Sequence, residues 1–350
     1  MKTGTRIFTL ASGVAFAAMM AAIPQAVAQS AADHFKSKTV KLYAGAGAGG
    51  VYGLSGRIII RHLANHIPGG AGVRVEFMPG AGGIKVANWL YNIAPKDGTA
   101  LGMLLRDTAA NQLVNPKKIK FDVSKFNWLS SWGDALNVLT VMKSAPATTL
   151  EGAKKKQVIL GGFSPRSSNY TFPLVLNALV GTKFKVVAGY RGSGAIRHAI
   201  DQGEISGWAG FYVGWITKRP QFVHGNKLAH LVQFTNRRYK EFPELQSVPL
   251  ATKIAKNEED RKVFAFLSVS GPMARALTAP PGVPKHIVKA LDKAWDATIA
   301  DPAFLKEMKD RHLVAIPAKA AAIRKIVSQI LATPPSVVRR YKKLAGLSKK

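Results

Sequence analysis

Two glycine-rich turns constrain this chain more than any other feature. Gly45-Ala46-Gly47-Ala48-Gly49-Gly50 follows the apolar stretch Val40–Ala44, and Pro79-Gly80-Ala81-Gly82-Gly83 follows Val73–Phe77. Each leads into a segment with helical periodicity. A strand that turns sharply into a helix leaves the first-turn N–H groups without partners. It also sets the positive end of the helix dipole there, and glycine lets a ligand approach the backbone. Two such turns about thirty residues apart predict a site for something small and anionic.

Strand and helix patterns alternate around these turns. Strands are predicted at 39–44, 73–78, 99–105, 137–142, 156–161, 184–189, 205–210, 228–234 and 262–270. Helices are predicted at 53–66, 83–93, 149–153, 168–180, 194–202, 284–299, 302–311, 318–331 and 335–345. Pro284, Asp301-Pro302 and Pro334-Pro335 mark helix starts. This alternation points to an α/β fold, with parallel sheets covered by helices, and 350 residues suggest two domains. No repeat or low-complexity linker marks the boundary between them.

The N-terminus reads as a secretory signal. Lys2 and Arg6 precede the apolar run Ile7–Ala22, and Ala26-Val27-Ala28 fits a cleavage site, so residues 1–28 are expected to be removed before Gln29. The remainder is expected to be exported and soluble. With no cysteine, thiolate nucleophiles, thiolate zinc sites and iron–sulfur clusters are excluded. The net charge of +31 attracts anions. The densest basic patches, Lys154-Lys155-Lys156 and the tail from Arg339, lack interleaved aromatic residues, and no nucleic-acid-binding motif is present. No nucleic-acid partner is expected.

Catalytic patterns are scarce. Gly45, Gly47 and Gly50 satisfy G-x-G-x-x-G, but the only candidate acid, Glu76, lies late for a dinucleotide site. Export also argues against nicotinamide, and no cofactor is expected. His62 and His66 stand four apart, yet Leu63 occupies the place of a metalloprotease glutamate and no third ligand is evident. They read as a helix C-terminus, with no metal. Gly192-Ser193-Gly194 lacks the frame of a nucleophile elbow, and there is no P-loop. Trp208, Phe211, Tyr212 and Trp215 read as core or domain interface, with ligand contact by one of them left open. The chain is not expected to be an enzyme; the alternative is an exported α/β enzyme acting on an anionic substrate.

Further motifs carry a family resemblance. They are Gly49-Gly50 with Arg57, Pro79–Gly83, Ala94-Pro95-Lys96-Asp97-Gly98-Thr99, Gly162-Phe163-Ser164-Pro165 with Ser167-Ser168, and Gly189-Tyr190-Arg191-Gly192. Phe242-Pro243-Glu244-Leu245 with Val248-Pro249, Ala279-Pro280-Pro281-Gly282-Val283-Pro284 and Asp301-Pro302 follow. In this order, over about 39–345, they make the chain resemble the TctC-like substrate-binding proteins of tripartite tricarboxylate transporters, the Bug family.

The resemblance implies a periplasmic two-domain clamp with helix-flanked, mainly parallel sheets. Domain I would comprise 37–136 plus 235–345, and domain II 137–234. A small carboxylate would bind between them, and a monomeric receptor would deliver it to an integral membrane permease. Matched positions imply a site built from Gly47, Ala48, Gly49, Gly50, Val51, Tyr52, Ala81, Gly82 and Gly83 in domain I. Ser164, Arg166, Ser167, Ser168, Tyr190, Arg191 and Gly192 would face them from domain II. Ser167 and Ser168 lie at a predicted helix start, and Arg191 can pair bidentately with a carboxylate. Arg106 and Arg166 are weaker candidates. One position departs from the pattern: Gly53 stands where relatives commonly carry aspartate, which implies a less acidic pocket and a more flexible loop.

Overall fold

The computed structural model describes Met1 and residues 30–348; the expected cleavage site lies outside the described residues. In chain order the first elements are α1 (Ala31–Phe35), β1 (Thr39–Ala44), α2 (Val51–Leu63), β2 (Gly72–Phe77), α3 (Ile84–Asn92), β3 (Ala100–Met103), α4 (Thr108–Val114) and β4 (Asn127–Ser131). Next come β5 (Asn137–Met142), α5 (Leu150–Lys155), β6 (Val158–Gly162), α6 (Ser168–Val180), β7 (Phe184–Ala188), α7 (Ser193–Asp201), β8 (Gly207–Phe211), α8 (Val213–Lys218), α9 (Pro220–His224) and β9 (Leu228–Phe234). The chain continues through α10 (Glu258–Ser268), β10 (Ala276–Ala279), α11 (Lys285–Ala300), α12 (Pro302–Asp310), α13 (Ala320–Leu331) and α14 (Pro335–Leu344).

The strands form two five-stranded sheets, ordered β2-β1-β3-β10-β4 and β7-β6-β8-β5-β9. In the first, β1 pairs parallel with β2 and β3; in the second, β6 pairs parallel with β7 and β8. Helices flank both sheets, as the alternating pattern requires. β1 shows how sequence sets register: Val40, Leu42 and Ala44 are buried on one face, while Thr39, Lys41 and Tyr43 are more exposed. β3 is buried along its whole length.

Each sheet also contains antiparallel strands. β10 runs antiparallel to β3 and β4, and β5 to β8 and β9. Neither β4 nor β10 is expected from sequence, because four or five residues with several small side chains carry little periodic signal. Their pairing is decided by partners far along the chain. The chain passes from the first sheet to the second over 132–136, where Trp132, Ala135 and Leu136 are buried.

One expected strand is a helix. The run 262–270 lies within and just beyond α10. An apolar run without alternation fits a buried helix as well as a strand. The deciding signals precede it: Asn257 Oδ1 accepts from the Asp260 N–H at 2.9 Å, and Glu258, Glu259 and Asp260 occupy the first turn. α10 and α14 pack against α6, with Phe266 and Tyr341 rings 5.6 Å apart and Tyr341 donating to Thr171 Oγ1 at 3.1 Å. The C-terminal stretch thus touches elements of both sheets.

His62 lies in the last turn of α2 and His66 in the turn just after it, in agreement with their reading as a helix terminus. His62 Nε2 is 2.8 Å from Glu307, and His66 Nε2 is 2.8 Å from Asp301, the N-cap of α12. They join two helices.

His230 on β9 gives a pH prediction. It sits beside Thr140 Oγ1 at 3.0 Å and against the Tyr212 ring, and burial lowers its pKa from 6.5 to about 4 despite nearby Glu244. The unfolded chain takes up this proton near pH 6.5 and the folded chain only near 4. The group's contribution to stability is therefore complete above pH 6.5 and is lost as pH falls toward 4, by at most about 3 kcal/mol. Urea-unfolding midpoints measured against pH should show that loss, and His230→Gln should flatten it.

Candidate ligand-binding site

The site is built from helix beginnings. Gly45 N–H donates to Met103 O at 3.2 Å, holding the first glycine turn against the sheet before α2 starts. Gly50 is the N-cap of α2 and has no side chain with which to cap it. Leu54 N–H is the first to find an acceptor within the helix, at Gly50 O, 3.1 Å away. Helix geometry leaves the N–H groups of Val51, Tyr52 and Gly53 without acceptors in their own helix.

The same arrangement recurs at α7 in the second sheet. Gly192 is its N-cap, and Ile196 N–H bonds to Gly192 O at 3.3 Å. The two starts face each other closely: a Cβ at Gly50 would stand 3.3 Å from Ser193 Oγ, and one at Gly194 would stand 3.9 Å from Gly49 O. α3 begins at Gly83, which has φ +89° and would place a Cβ 2.8 Å from Leu105. α6 begins at Ser167.

None of these four helices has a side-chain N-cap hydrogen bond. Thr149, Asn257 and Asp301 cap α5, α10 and α12, whereas α4, α8, α9, α11, α13 and α14 also lack such a bond, so what sets the four apart is that they converge. The four uncapped starts line one cavity of about 440 Å³ between the sheets. Such a volume suits a small-molecule ligand. Aligned dipoles and free N–H groups favour an anionic oxygen acceptor there.

The cavity brings together Gly47, Gly49, Gly50, Val51, Tyr52, Gly82, Gly83, Ser164, Ser167, Ser168, Arg191 and Gly192 among the expected residues. Four others do not line it. Ala48 is exposed, and its carbonyl turns back to accept from Arg57 at 3.2 Å. Ala81 is exposed at φ +49° on the outside of its turn. Tyr190 is half-buried two residues before the α7 N-cap, its N–H bonded to Gly162 O at 3.3 Å. Arg166 is exposed and borders a separate small cleft with Asn111, Phe172 and Tyr341, because the turn before α6 carries it away from the cavity. Ser167 lines the cavity, but its hydroxyl is engaged locally with Ser164 O at 2.7 Å and Asn169 Oδ1 at 2.6 Å.

Several lining residues fall outside the expected set: Leu105, Asp107, Asn137, Phe163, Trp208 and Phe211. Trp208 and Phe211 belong to the aromatic cluster that reads as core from sequence, and Trp208 is indeed buried. For Phe211 the readable signal was its position at the carboxyl end of β8, where α/β folds place ligands; Trp208, second in the same strand, carries no such signal.

Arg106 also lines the cavity, yet its donors are committed. It is 2 % exposed, and Nη1 donates to Ala135 O at 3.3 Å while Nη2 donates to Leu267 O at 2.9 Å. Nε points to Asp107 Oδ1 at 3.4 Å. With the Asn137 amide oxygen turned toward it, Nη1 donates there at 2.6 Å as well. Behind the cavity wall, Arg197 is buried with Nη1 unpaired, and burial together with Arg219 lowers its pKa to about 10. Burial, then Arg197, Arg57 and Arg311, likewise lowers Lys218. Among the described residues Asp107 is the only carboxylate on the cavity wall, while Arg106, Arg191 and the nearby Arg197 are cationic, so the surrounding field is positive.

Gly53 has a consequence different from the one expected. A Cβ there would lie 1.8 Å from Ala48 O, so its absence lets the glycine turn close directly onto α2, where Arg57 holds it. The turn is packed rather than loosened. In an ordinary helix Gly→Ala adds about 1 kcal/mol of stability. Here Gly53→Ala should instead destabilise the protein by about 1–3 kcal/mol through overpacking, read as a lowered thermal midpoint.

Comparison with known proteins supports the same architecture. An R. palustris protein solved with adipate superposes with a TM-score of 0.67 at 18% identity, covering 89% of this chain and 98% of the other. MatC from Rhodopseudomonas palustris, with bound malate, gives 0.64 at 18% identity, covering 89% and 100%. The periplasmic binding protein BugD gives 0.66 at 19% identity, covering 90% and 100%. No curated protein matches the chain. At these identities the likeness concerns the fold. The family model described as the tripartite tricarboxylate transporter family receptor matches residues 59–341, most of the chain, and this protein belongs to that family.

Proposed function

We propose that this protein is an exported receptor that binds a small carboxylate between its two sheets and delivers it to an integral membrane permease. The observation that carries this reading is the convergence of four uncapped helix N-termini, two from each sheet, on one cavity. Their backbone donors suit a carboxylate without any metal or cofactor. In this reading Gly47–Tyr52 and Gly82–Gly83 hold the anion from one side. Ser164, Ser168, Arg191 and Gly192 hold it from the other.

The moving units would be 37–136 plus 235–345 and 137–234, closing over the ligand as a hinged clamp. Export is read from the signal pattern at 1–28, and periplasmic localisation follows from it. Among the described residues no helix is long and apolar enough to cross a membrane, which suits a receptor that docks on a separate permease. Two structurally similar proteins hold adipate and malate, which supports a carboxylate here. The protein acts by binding rather than by turnover.

A thermal-shift series tests the reading. The midpoint should rise with carboxylate concentration, because only the folded state binds. Stabilisation by cations or neutral sugars alone would overturn it. Gly192→Asp supplies a second check. A Cβ at Gly192 meets nothing within 4 Å, so the change is sterically free. Its carboxylate would cap α7 and compete with ligand. The unliganded protein should be stabilised by about 0.3–1 kcal/mol, while carboxylate affinity falls at least tenfold.

A further inference from the structure

The cavity wall is mostly apolar apart from its helix starts. Phe163 and Trp208 form a ring pair 5.9 Å apart, and Tyr52 and Phe211 form another 6.2 Å apart. All four line the cavity, together with Val51 and Leu105. The Trp208 indole lies across Gly210, where a Cβ would meet ring atoms at 2.3 Å, so the strand offers the ring as a flat shelf. Phe211 and Tyr52 are backed by the buried Arg275 guanidinium, 5.3 and 5.2 Å from their ring centres, which holds both rings from behind.

The supply of positive side chains is short by comparison. Two arginines line the cavity. Arg106 has its donors on Ala135, Leu267, Asp107 and Asn137, so it has little left for a ligand. Arg191 is exposed and has no carboxylate partner within the protein among the described residues. Asp107 adds a negative charge to the wall. One carboxylate is therefore provided for, by the helix starts and Arg191. A second, fixed elsewhere on the same molecule, would be taken from water against aromatic rings and an aspartate, where the wall adds no further cationic side chain and only neutral donors such as the unpartnered Trp208 Nε1.

We infer that the ligand is a monocarboxylate with an apolar, ring-sized body, rather than a di- or tricarboxylate. This inference rests on the receptor reading above and narrows it to a chemical class. The carboxylate lies on the helix starts, and the body lies among Phe163, Trp208 and Phe211. Flat rings suit this wall because aromatic pairs gain from offset and edge contacts beyond simple burial.

Calorimetric titration of the purified, dialysed protein tests the inference. Benzoate, phenylacetate and cyclohexanecarboxylate form one arm; malate, adipate and citrate form the other. At least one apolar monocarboxylate should bind tenfold more tightly than any member of the second arm. Tighter binding of a di- or tricarboxylate would overturn the inference and leave the carboxylate receptor standing. Binding by neither arm would overturn both. Phe163→Ala should weaken the monocarboxylate at least tenfold while moving malate affinity less than threefold, and Phe163→Leu should restore part of the loss. An equal loss for both ligands in Phe163→Ala would count against the inference. The thermal midpoint without ligand reports whether either variant is folded.

Discussion

The geometry of the cavity depends on a buried arginine. Arg106 leaves the end of β3 and spends its guanidinium on the carbonyls of Ala135 and Leu267, beside the Asn137 amide. Those partners belong to the crossover between the sheets, the end of α10 and the start of β5. A charge removed from water costs several kcal/mol unless its donors are satisfied. Charge-assisted bonds to backbone carbonyls provide that satisfaction and hold three separate segments at fixed distances. The Phe172 ring packs on this guanidinium at 5.4 Å, while Phe211 and Tyr52 on the cavity wall pack on a second buried arginine, Arg275.

The anion chemistry of the site is mostly backbone chemistry. Side chains that serve as caps elsewhere are absent at α2, α3, α6 and α7, and glycine or a locally engaged serine stands at each start. Uncapped N–H groups facing an apolar cavity are best satisfied by an acceptor on a ligand. The large net charge works at longer range, raising the local concentration of anions without choosing among them. In the proposed receptor, choice falls to the wall, which is mostly apolar and includes Tyr52, Phe163, Trp208 and Phe211. In that proposal, recognition of the carboxylate and recognition of the rest of the ligand are carried by different parts of the same cavity.

Much of this was legible along the chain. The strand-turn-helix units at Gly45–Gly50 and Pro79–Gly83 could be read because glycine spacing and flanking periodicity are local properties. The same holds for Gly192 before α7. The role of Arg106 was not legible, since an arginine written in sequence is equally consistent with a ligand contact, a surface charge or a buried tie. Arg166, two residues from Ser164 and Ser168, looks as well placed as either, yet the turn carries it to another cleft. Gly53 reads as a lost acid; only the position of Ala48 O reveals it as the space into which the turn closes.

The sequence by itself determined the fold class, the helix starts that carry free donors and the sign of charge they favour, because propensity, periodicity and glycine placement act within a few residues. The tertiary structure decided the rest. It paired β10 between β3 and β4, turned most of 262–270 into a helix seated on α6, and consumed Arg106 while leaving Arg191 without a carboxylate partner among the described residues. It also drew Phe163, Trp208 and Phe211 into one wall. These outcomes depend on burial and on hydrogen-bond partners many residues away, and those are set only when the two sheets pack together.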